Sequence, residues 1–423
     1  LYTLFKCHTA VRIAHFLRRK SDLPVQPLFW LATEDHDLSE IVHAYFPDRS
    51  FHLELAGVTG PVAVEKLPME VARPAREELL ALASVERHDE IATLTAMAGL
   101  RDYSAYTAAL LARLMGPQAP VLFEPRLLRK DLSGFYRKVL HLRQEIRQAL
   151  VAGAERMQRH GLPVAFNVDR SFGMFYLTAE GYRYRIEENA PGCFAVTARQ
   201  WREDELEREI DEFPERFSLS AYLRPVAQCL LFPTVAYVGG PGEIRYHLQL
   251  KELFSLFDAG FPCMIPRCHG TIIGPPERRI LQRHNLSLDV IRHRAQDYYC
   301  RPELPENMAR PFARLVGELD QAFAQLLANM DAGNPDILKS GHKRILKELE
   351  KIRQRLTREY ARSREIDNAK IDKLFHVLRP GGQPQERRLN IFYFVLKYGA
   401  GFLPKLFDQL PPLAPAHFIC ELE

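Results

Sequence analysis

The sequence predicts an α/β fold built on a parallel sheet, with inserted segments and an antiparallel α-helical coiled-coil arm. Three observations carry that reading. The apolar run Leu230 to Val238, the glycine turn Gly239-Gly240-Pro241-Gly242, the helically spaced stretch Glu243 to Phe257 and the short strand Cys263 to Ile265 make a βαβ unit, which implies a parallel sheet covered by helices. Val25 to Ala32 and Val121 to Phe123 are two more short apolar runs, too brief for helices, and read as buried strands. Val316, Leu319, Phe323, Leu326 and Met330 keep strict 3-4 spacing, as do Ile345, Leu349, Ile352 and Leu356, with Lys, Arg and Glu dense between them; this is a coiled-coil hairpin.

Taken in order, Tyr2 to Arg19 has helical apolar spacing and closes on Arg18, Arg19 and Lys20, which suit a helix C-terminus. After the strand at Val25, Leu38 to Phe46 returns to helical periodicity. Phe51, Leu53 and Leu55 alternate like a strand, and Ala- and Leu-rich helices follow to Met115. Asp131 to His160 reads as one long helix ended by Gly161, with Leu140, Leu142, Ile146 and Leu150 on its apolar side. Val164 to Glu188 is aromatic and alternating, with Gly173 and Gly181 as turn signals for β-hairpins. The arm turns at Asp331-Ala332-Gly333-Asn334-Pro335, with Asn334 as cap and Pro335 in the first turn. Glu386 to Phe407 brings a helix back to the main body. The resulting division is a core over 1–305 with connecting insertions at about 51–215, the arm over 306–378, and a return to the core over 379–423.

Composition narrows the function. Apolar residues make up 47% and charged residues 26% of the 423, the balance of a globular chain rather than a disordered or collagen-like one. Ile391 to Phe407 is broken by Lys397 and Lys405 and falls short of the roughly 18 apolar residues a membrane span needs, so no membrane is expected. The net charge is +4, from 57 basic and 53 acidic residues interspersed along helices, which argues against nucleic acid as a partner. Seven irregularly spaced cysteines read as reduced thiols of the cytoplasm. The first residue, Leu1, falls inside a helical pattern, so a natural segment is expected upstream, with any targeting signal on it.

Two clusters can carry chemistry. Glu34-Asp35-His36-Asp37 follows a strand of the kind whose carboxyl end binds ligands in open α/β sheets, and these side chains can hold an ammonium group, accept a proton or ligate a metal. Asp37 with Glu40 equally resembles a capping box at the start of the next helix. Gly239, Gly240, Pro241, Gly242 and Glu243 offer backbone amides to an anion at a helix N-terminus, although a tight turn needing positive φ explains the glycines almost as well. Arg224 and Arg267 flank this unit and can pair bidentately with a substrate carboxylate; surface salt bridging is the competing reading. Cys263, Cys268 and His269 lack a second ligand pair at a matching interval, so no metal site is expected.

The segment Gln26-Pro-Leu-Phe-Trp-Leu-Ala-Thr-Glu-Asp-His-Asp37, then Leu223-Arg-Pro-Val226, then Pro233-Thr-Val-Ala-Tyr-Val-Gly-Gly-Pro-Gly-Glu243 with Tyr246, Gln249 and Leu250, closely resembles the bacillithiol biosynthesis cysteine-adding enzymes. Gln385-Glu-Arg-Arg-Leu-Asn390 resembles the same family. The resemblance implies a Rossmann-like core akin to nucleotidyltransferases and class I synthetases, a coiled-coil arm that makes a homodimer, and a glycine- and glutamine-rich loop just upstream of Leu1. It also implies a ligase that joins the carboxyl of cysteine to the amine of glucosaminyl malate. Amide formation from a carboxylate requires activation, so ATP with Mg2+ is expected as co-substrate. On this reading Glu34 or Asp37 holds an ammonium group, His36 or Asp35 takes the proton of the attacking amine, and Gly239 to Gly242 sits against phosphate or carboxylate, with Arg224, Glu243, Tyr246 and Arg267 around the substrates. Two other classes stay open at this point: a metal-dependent hydrolase using Glu34 to Asp37, and a non-enzymatic coiled-coil assembly protein.

Overall fold

The computed structural model describes residues 1–53, 55, 57–58, 60–167, 171–287, 289, 304–330, 334–410 and 417–422. The chain divides into two units, Leu1–Ile272 with Gln385–Leu422, and Ile273–Pro384.

In the first unit, α1 (Tyr2–Lys20) buries the face formed by Leu4, Phe5, Cys7, Val11, Ile13 and Ala14. Its end is fixed by Arg18, whose Nε donates to the Val25 carbonyl at 2.5 Å and whose Nη2 donates to Gln26 Oε1 at 2.9 Å. The chain continues through β1 (Leu28–Trp30), β2 (His43–Tyr45), β3 (Ser50–His52), α2 (Arg73–Leu82), α3 (Val85–Leu94), α4 (Tyr103–Met115) and β4 (Val121–Phe123). β1 and β4 pair in parallel, Leu28 opposite Val121 and Trp30 opposite Phe123. Val121 is 46% exposed, so β4 is less buried than its apolar sequence suggests. The helix expected over Leu38 to Phe46 is instead a single 3₁₀ turn, Leu38–Glu40, followed by the β2–β3 hairpin. Pro47-Asp48-Arg49 supplies the turn, and the alternation of Ala44, Phe46, Phe51 and Leu53 on one face outweighs the weak helical spacing.

The long helix expected from Asp131 divides into α5 (Ser133–His141) and α6 (Arg143–Arg159) at Leu142. Arg143 occupies a position on the apolar stripe and turns the break to use: its Nη1 donates to the freed Leu140 carbonyl at 2.9 Å, while its Nε and Nη2 reach Glu188 and Glu203 at 3.0 and 2.8 Å. Next come β5 (Ser171–Leu177), β6 (Arg183–Ala190), β7 (Cys193–Val196), β8 (Arg199–Arg202), α7 (Glu203–Glu212) and β9 (Phe217–Leu219). They form an antiparallel sheet of order β8-β7-β6-β5-β9. Gly181, at φ +92°, makes the β5–β6 turn as expected. Gly173, at φ +90°, is no turn but an irregularity inside β5, where a Cβ would stand 2.5 Å from Leu223 and 2.6 Å from Tyr222. Residues 168–170 of the expected hairpin region lie outside the described residues. One face of this sheet, with Phe172, Met174, Tyr176, Ile186, Phe194 and Phe217, packs on Tyr136, Leu140, Ile146, Leu150 and Leu206 to form the main apolar cluster.

The βαβ unit is present. It consists of α8 (Arg224–Leu231), β10 (Ala236–Gly239), α9 (Pro241–Gln249), α10 (Lys251–Leu256) and β11 (Cys263–Pro266), with β10 and β11 parallel, Ala236 opposite Cys263 and Gly239 opposite Pro266. Leu230 and Leu231 end α8 rather than opening the strand, because Pro233 cannot continue either element. β12 (Gly270–Ile273) ends this part of the unit.

The second unit holds α11 (Pro275–Arg283), α12 (Glu306–Ala328) and α13 (Pro335–Leu378). The last two run as an antiparallel pair, in which His342 stacks on Phe323 at 4.6 Å and meets Asp320 at 2.9 Å. Asn334 caps α13 by accepting from the Asp336 N–H at 2.9 Å, while residues 331–333 of the expected turn lie outside the described residues. No helix among the described residues is long and apolar enough to cross a membrane.

The chain returns to the first unit as α14 (Gln385–Arg388), α15 (Phe392–Tyr398), α16 (Phe402–Gln409) and β13 (Phe418–Glu421), the last paired with β12. The single helix expected there is interrupted at Gly399, whose φ of +74° closes α15.

Within the first unit, a buried charge triad fixes the loop that follows β1. Arg129, 3% exposed, donates bidentately to Glu65 at 2.7 and 2.7 Å and through Nε to Glu34 at 3.2 Å. Replacing it strands two carboxylates away from water. Arg129→Met should therefore lower the unfolding free energy by about 3–5 kcal/mol in urea titration, and adding Glu34→Gln and Glu65→Gln should restore part of the loss. The approach of α6 to α9 gives a second test. A Cβ on Gly153 would lie 2.0 Å from the Gln249 carbonyl oxygen, so Gly153→Ala should cost roughly 1–3 kcal/mol despite its better helix propensity. Gly317→Ala, exposed in α12 with open space around it, should instead stabilise by up to about 1 kcal/mol. Equal effects at the two glycines would show that backbone clearance between α6 and α9 is not what selects Gly153.

Candidate active site

The ends of β1 and β10 carry the two clusters. The loop after β1 is held along its backbone, with Glu65 N donating to the Thr33 carbonyl and Val64 N to the Asp35 carbonyl, both at 2.8 Å. Its four acidic and imidazole side chains therefore point to different places. Glu34 is 7% exposed and committed to Arg129. Asp35 is exposed, and its Oδ1 accepts from the N–H of His36 at 2.7 Å with Arg183 at 3.6 Å. Asp37 accepts from Ser39 N at 3.1 Å and Ser39 Oγ at 2.5 Å and so caps the 3₁₀ turn, as the capping reading has it for this residue.

His36 is governed by Arg183. The guanidinium lies 3.8 Å from the Phe175 ring centroid, donates to Ser218 Oγ at 3.0 Å and the Leu219 carbonyl at 2.7 Å, and meets His36 Nδ1 at 3.0 Å. Because an arginine only donates, Nδ1 must accept, and the ring is a neutral imidazole carrying its proton on Nε2. Burial and the Arg183 charge both hold the His36 pKa below its ordinary value, against the opposing pull of Asp35 and Asp37.

At the other cluster the glycine turn is capped from within. Gly240 N–H, expected to face an anion, donates to Glu243 Oε2 at 2.8 Å, so its acceptor comes from the first turn of α9 itself. Glu243 also pairs with Lys6 of α1 at 2.6 Å and accepts from Tyr237 Oη at 3.3 Å. Burial pushes the Glu243 pKa up, but Lys6, the Gly240 amide and Arg224 outweigh it and hold the carboxyl below its usual range. His247 is fully buried between Tyr237 and Tyr246, with ring centroids at 4.1 and 4.7 Å, and burial pushes its pKa down to about 4. Gly242 keeps open space around it.

Arg224 joins the clusters. Its Nη2 donates to Tyr246 Oη at 3.4 Å, and the carboxylates of Glu34 and Glu243, one from each cluster, favour its charged form. The arrangement brings together Glu34, Asp35, His36, Arg224, Glu243 and Tyr246. Arg267 stands beside Gly240 but is 2% exposed, donates to the Cys268 carbonyl at 3.0 Å and pairs with Glu386 at 3.3 Å; its carboxylate partner is internal, neither a surface bridge nor left to substrate. Cys263 is exposed, whereas Cys268 is buried against Thr9, and His269 turns to Glu386 at 3.2 Å, so these three do not converge. Among the described residues no three His, Cys, Asp or Glu side chains are grouped to hold a metal, and the hydrolase alternative finds no ligand set in Asp35, His36 and Asp37.

Sequence reasoning missed Lys6, Glu65, Arg129, Arg183, Tyr237 and His247. Tyr237 and His247 are local to the glycine turn, six positions before and four after the Glu243 that closes it. Lys6, Glu65, Arg129 and Arg183 meet Glu243, Arg129, Glu34 and His36 across 64 to 237 positions.

Residues 1–268 match the family model described as bacillithiol biosynthesis BshC, N-terminal Rossmann-like domain, and residues 282–422 match that of the BshC C-terminal coiled-coil domain. Similar proteins named "Putative cysteine ligase BshC" occur in Symbiobacterium thermophilum, 28% identical over 97% of this chain and 79% of the relative. Those of Koribacter versatilis are 27% identical over 94% and 78%, and of Shouchella clausii 26% over 99% and 81%. With both domains matched in order along nearly its whole length, the chain belongs to the BshC family of bacillithiol biosynthesis and is a ligase.

Proposed function

We propose that this ligase, in the cytoplasm, activates the carboxyl of cysteine with ATP and Mg2+ and joins it to the amine of glucosaminyl malate. The observation that carries the reading is Arg224, a cation whose charged form is favoured by one carboxylate of each cluster, where an anionic carboxylate or phosphate oxygen finds a positive charge and the Tyr246 hydroxyl. ATP converts the cysteine carboxylate into an acyl-adenylate with loss of pyrophosphate, or into an acyl-phosphate with loss of ADP. The sugar amine then attacks the acyl carbon, loses a proton, and releases AMP or phosphate.

We divide the remaining roles according to what already engages each side chain. Glu34 and Asp37 are engaged by Arg129 and Ser39, so neither is assigned the substrate ammonium. On this reading Asp35, exposed and with Oδ1 bonded by the His36 amide, takes the amine proton on Oδ2. His36, whose Nδ1 is filled by Arg183, offers Nε2–H as a donor to a substrate oxygen. The glycine turn contributes through Gly242 and the end of α9 rather than through the Gly240 amide.

The test is a mass-spectrometric assay of the full-length enzyme with ATP, cysteine and glucosaminyl malate, reading thiol and nucleotide products together. AMP with product supports adenylation, ADP an acyl-phosphate route, and absence of thiol product with all ligands bound would overturn the substrate assignment. In that assay Asp35→Asn should lower turnover by about 10²–10⁴-fold without loss of thermal stability, and His36→Ala should lower it too. Undiminished turnover in both removes the loop after β1 from the chemistry.

The arm is proposed to make a homodimer. Leu326, Ile345 and Ile352 of its apolar seam are 53%, 41% and 47% exposed in the single chain, which an apolar seam of this regularity does not leave to water. Ile345→Asp with Ile352→Asp should convert a two-chain species in light scattering to one chain. A single-chain mass for the unsubstituted protein would refute the assignment.

A further inference from the structure

The β2–β3 hairpin places two histidines opposite each other on its outer face. His43 and His52 are register partners, both exposed, with ring centroids 4.7 Å apart. Leu53 N donates to the Val42 carbonyl and Phe46 N to the Arg49 carbonyl, each at 2.8 Å. The alternation of an antiparallel ladder then makes His43 and His52 a non-hydrogen-bonded pair, the kind whose side chains stand closest. The opposite face of the hairpin is anchored by buried Phe46, Phe51 and Leu53, so the two Cβ positions are set by the core and not by the imidazoles.

What the rings do with that proximity is specific. They turn Nδ1 toward Nδ1, at 3.2 Å. Two nitrogens bound to one tetrahedral Zn2+ at 2.0–2.1 Å stand about 3.3 Å apart, and at a right angle about 2.9 Å. The observed separation, which in the metal-free protein is a hydrogen bond between the two rings, falls between these values. We propose that His43 and His52 chelate a divalent cation of the imidazole-preferring class, with Zn2+ as its representative, through their two Nδ1 atoms. Among the described residues no third His, Cys, Asp or Glu completes the set, so two coordination positions are left for water or for an exogenous thiolate or carboxylate. The site is separate from the clusters at the ends of β1 and β10. It clips the two strands of the hairpin, and the Tyr45 carbonyl in the same hairpin accepts from Asn390 N at 3.0 Å, so the clip bears on the seat of the returning C-terminal segment.

The test uses the full chain carrying Cys193→Ser and Cys263→Ser, which removes the two thiols exposed among the described residues as competing ligands. Zn2+ is titrated calorimetrically into this protein and into its His43→Gln and His52→Gln derivatives. Both imidazoles are exposed, and unchanged thermal stability of the metal-free variants checks that they fold. One Zn2+ per chain, weakened at least tenfold by either substitution and no further by both together, is the expected result. Affinity unchanged in either variant, or lost in one only, overturns the chelate. An independent reading comes from 15N-histidine spectra of the unsubstituted histidine pair: Zn2+ should shift Nδ1 of both residues, and a shift at Nε2 alone would likewise exclude the site.

Discussion

The first unit depends on one costly arrangement, the burial of a guanidinium between two carboxylates at the end of a parallel strand. Removing Arg129, Glu34 and Glu65 from water carries a desolvation penalty of several kcal/mol per ion, offset only because Arg129 engages Glu65 in both of its parallel hydrogen bonds and Glu34 through Nε. Such a triad holds only if its donors stay in place, and so it fixes the loop after β1 to the segment carrying Glu65. Two carboxylates against one guanidinium leave an unbalanced negative charge, and Arg183 and Arg224 each feel the Glu34 carboxylate. The cations of the site are thus set around a charge that the fold itself installs.

From this follows a separation between charges that hold the site and charges that can act in it. Arg129, Glu34, Glu65, Lys6 and Glu243 satisfy one another, and a group whose hydrogen bonds are already made cannot exchange a proton without breaking the frame. Asp35 and His36 lie at the edge of the same frame, oriented by Arg183 and by backbone amides yet reached by solvent. Fixed dipoles around a partly open pair is the organisation that electrostatic stabilisation requires, because the donors do not reorganise as charge develops.

How far the sequence revealed this depends on the distance over which each signal acts. The βαβ unit was legible because strand, turn, helix and strand are contiguous and each has its own period. The break at Leu142 was not, since it rests on Arg143 reaching Glu188 and Glu203, 45 and 60 positions on. The hairpin at His43 was misread because a few apolar residues fit either period, and only packing of Phe46 and Phe51 decides between them. In the site, Glu34 to Asp37 and Gly239 to Glu243 announced themselves as clusters. Their counter-ions did not, because an arginine in a run of alternating residues, such as Arg183, looks like any solvated position. One local signal was available and went unread: Glu243 is the third residue of α9 after Gly240, the place from which a glutamate returns to cap its own helix.

The returning segment Gln385 to Asn390 shows why a stretch remote from both clusters belongs with them. Gln385 is fully buried and acts as a surrogate strand neighbour, accepting from Ile272 N at 2.7 Å and donating to the Ile272 carbonyl at 3.0 Å. Glu386, 2% exposed, is the counter-ion of Arg267, and Arg267 N in turn donates to the Gly239 carbonyl at 2.9 Å. Asn390 N donates to the Tyr45 carbonyl. The segment therefore touches the backbone that leads out of β10 through one buried ion pair, and the hairpin after the acidic loop through one hydrogen bond. Loss of Glu386 would leave Arg267 charged and unpaired beside Gly240, so the glycine turn is held from both sides, by Glu243 within α9 and by a residue more than 140 positions further along the chain.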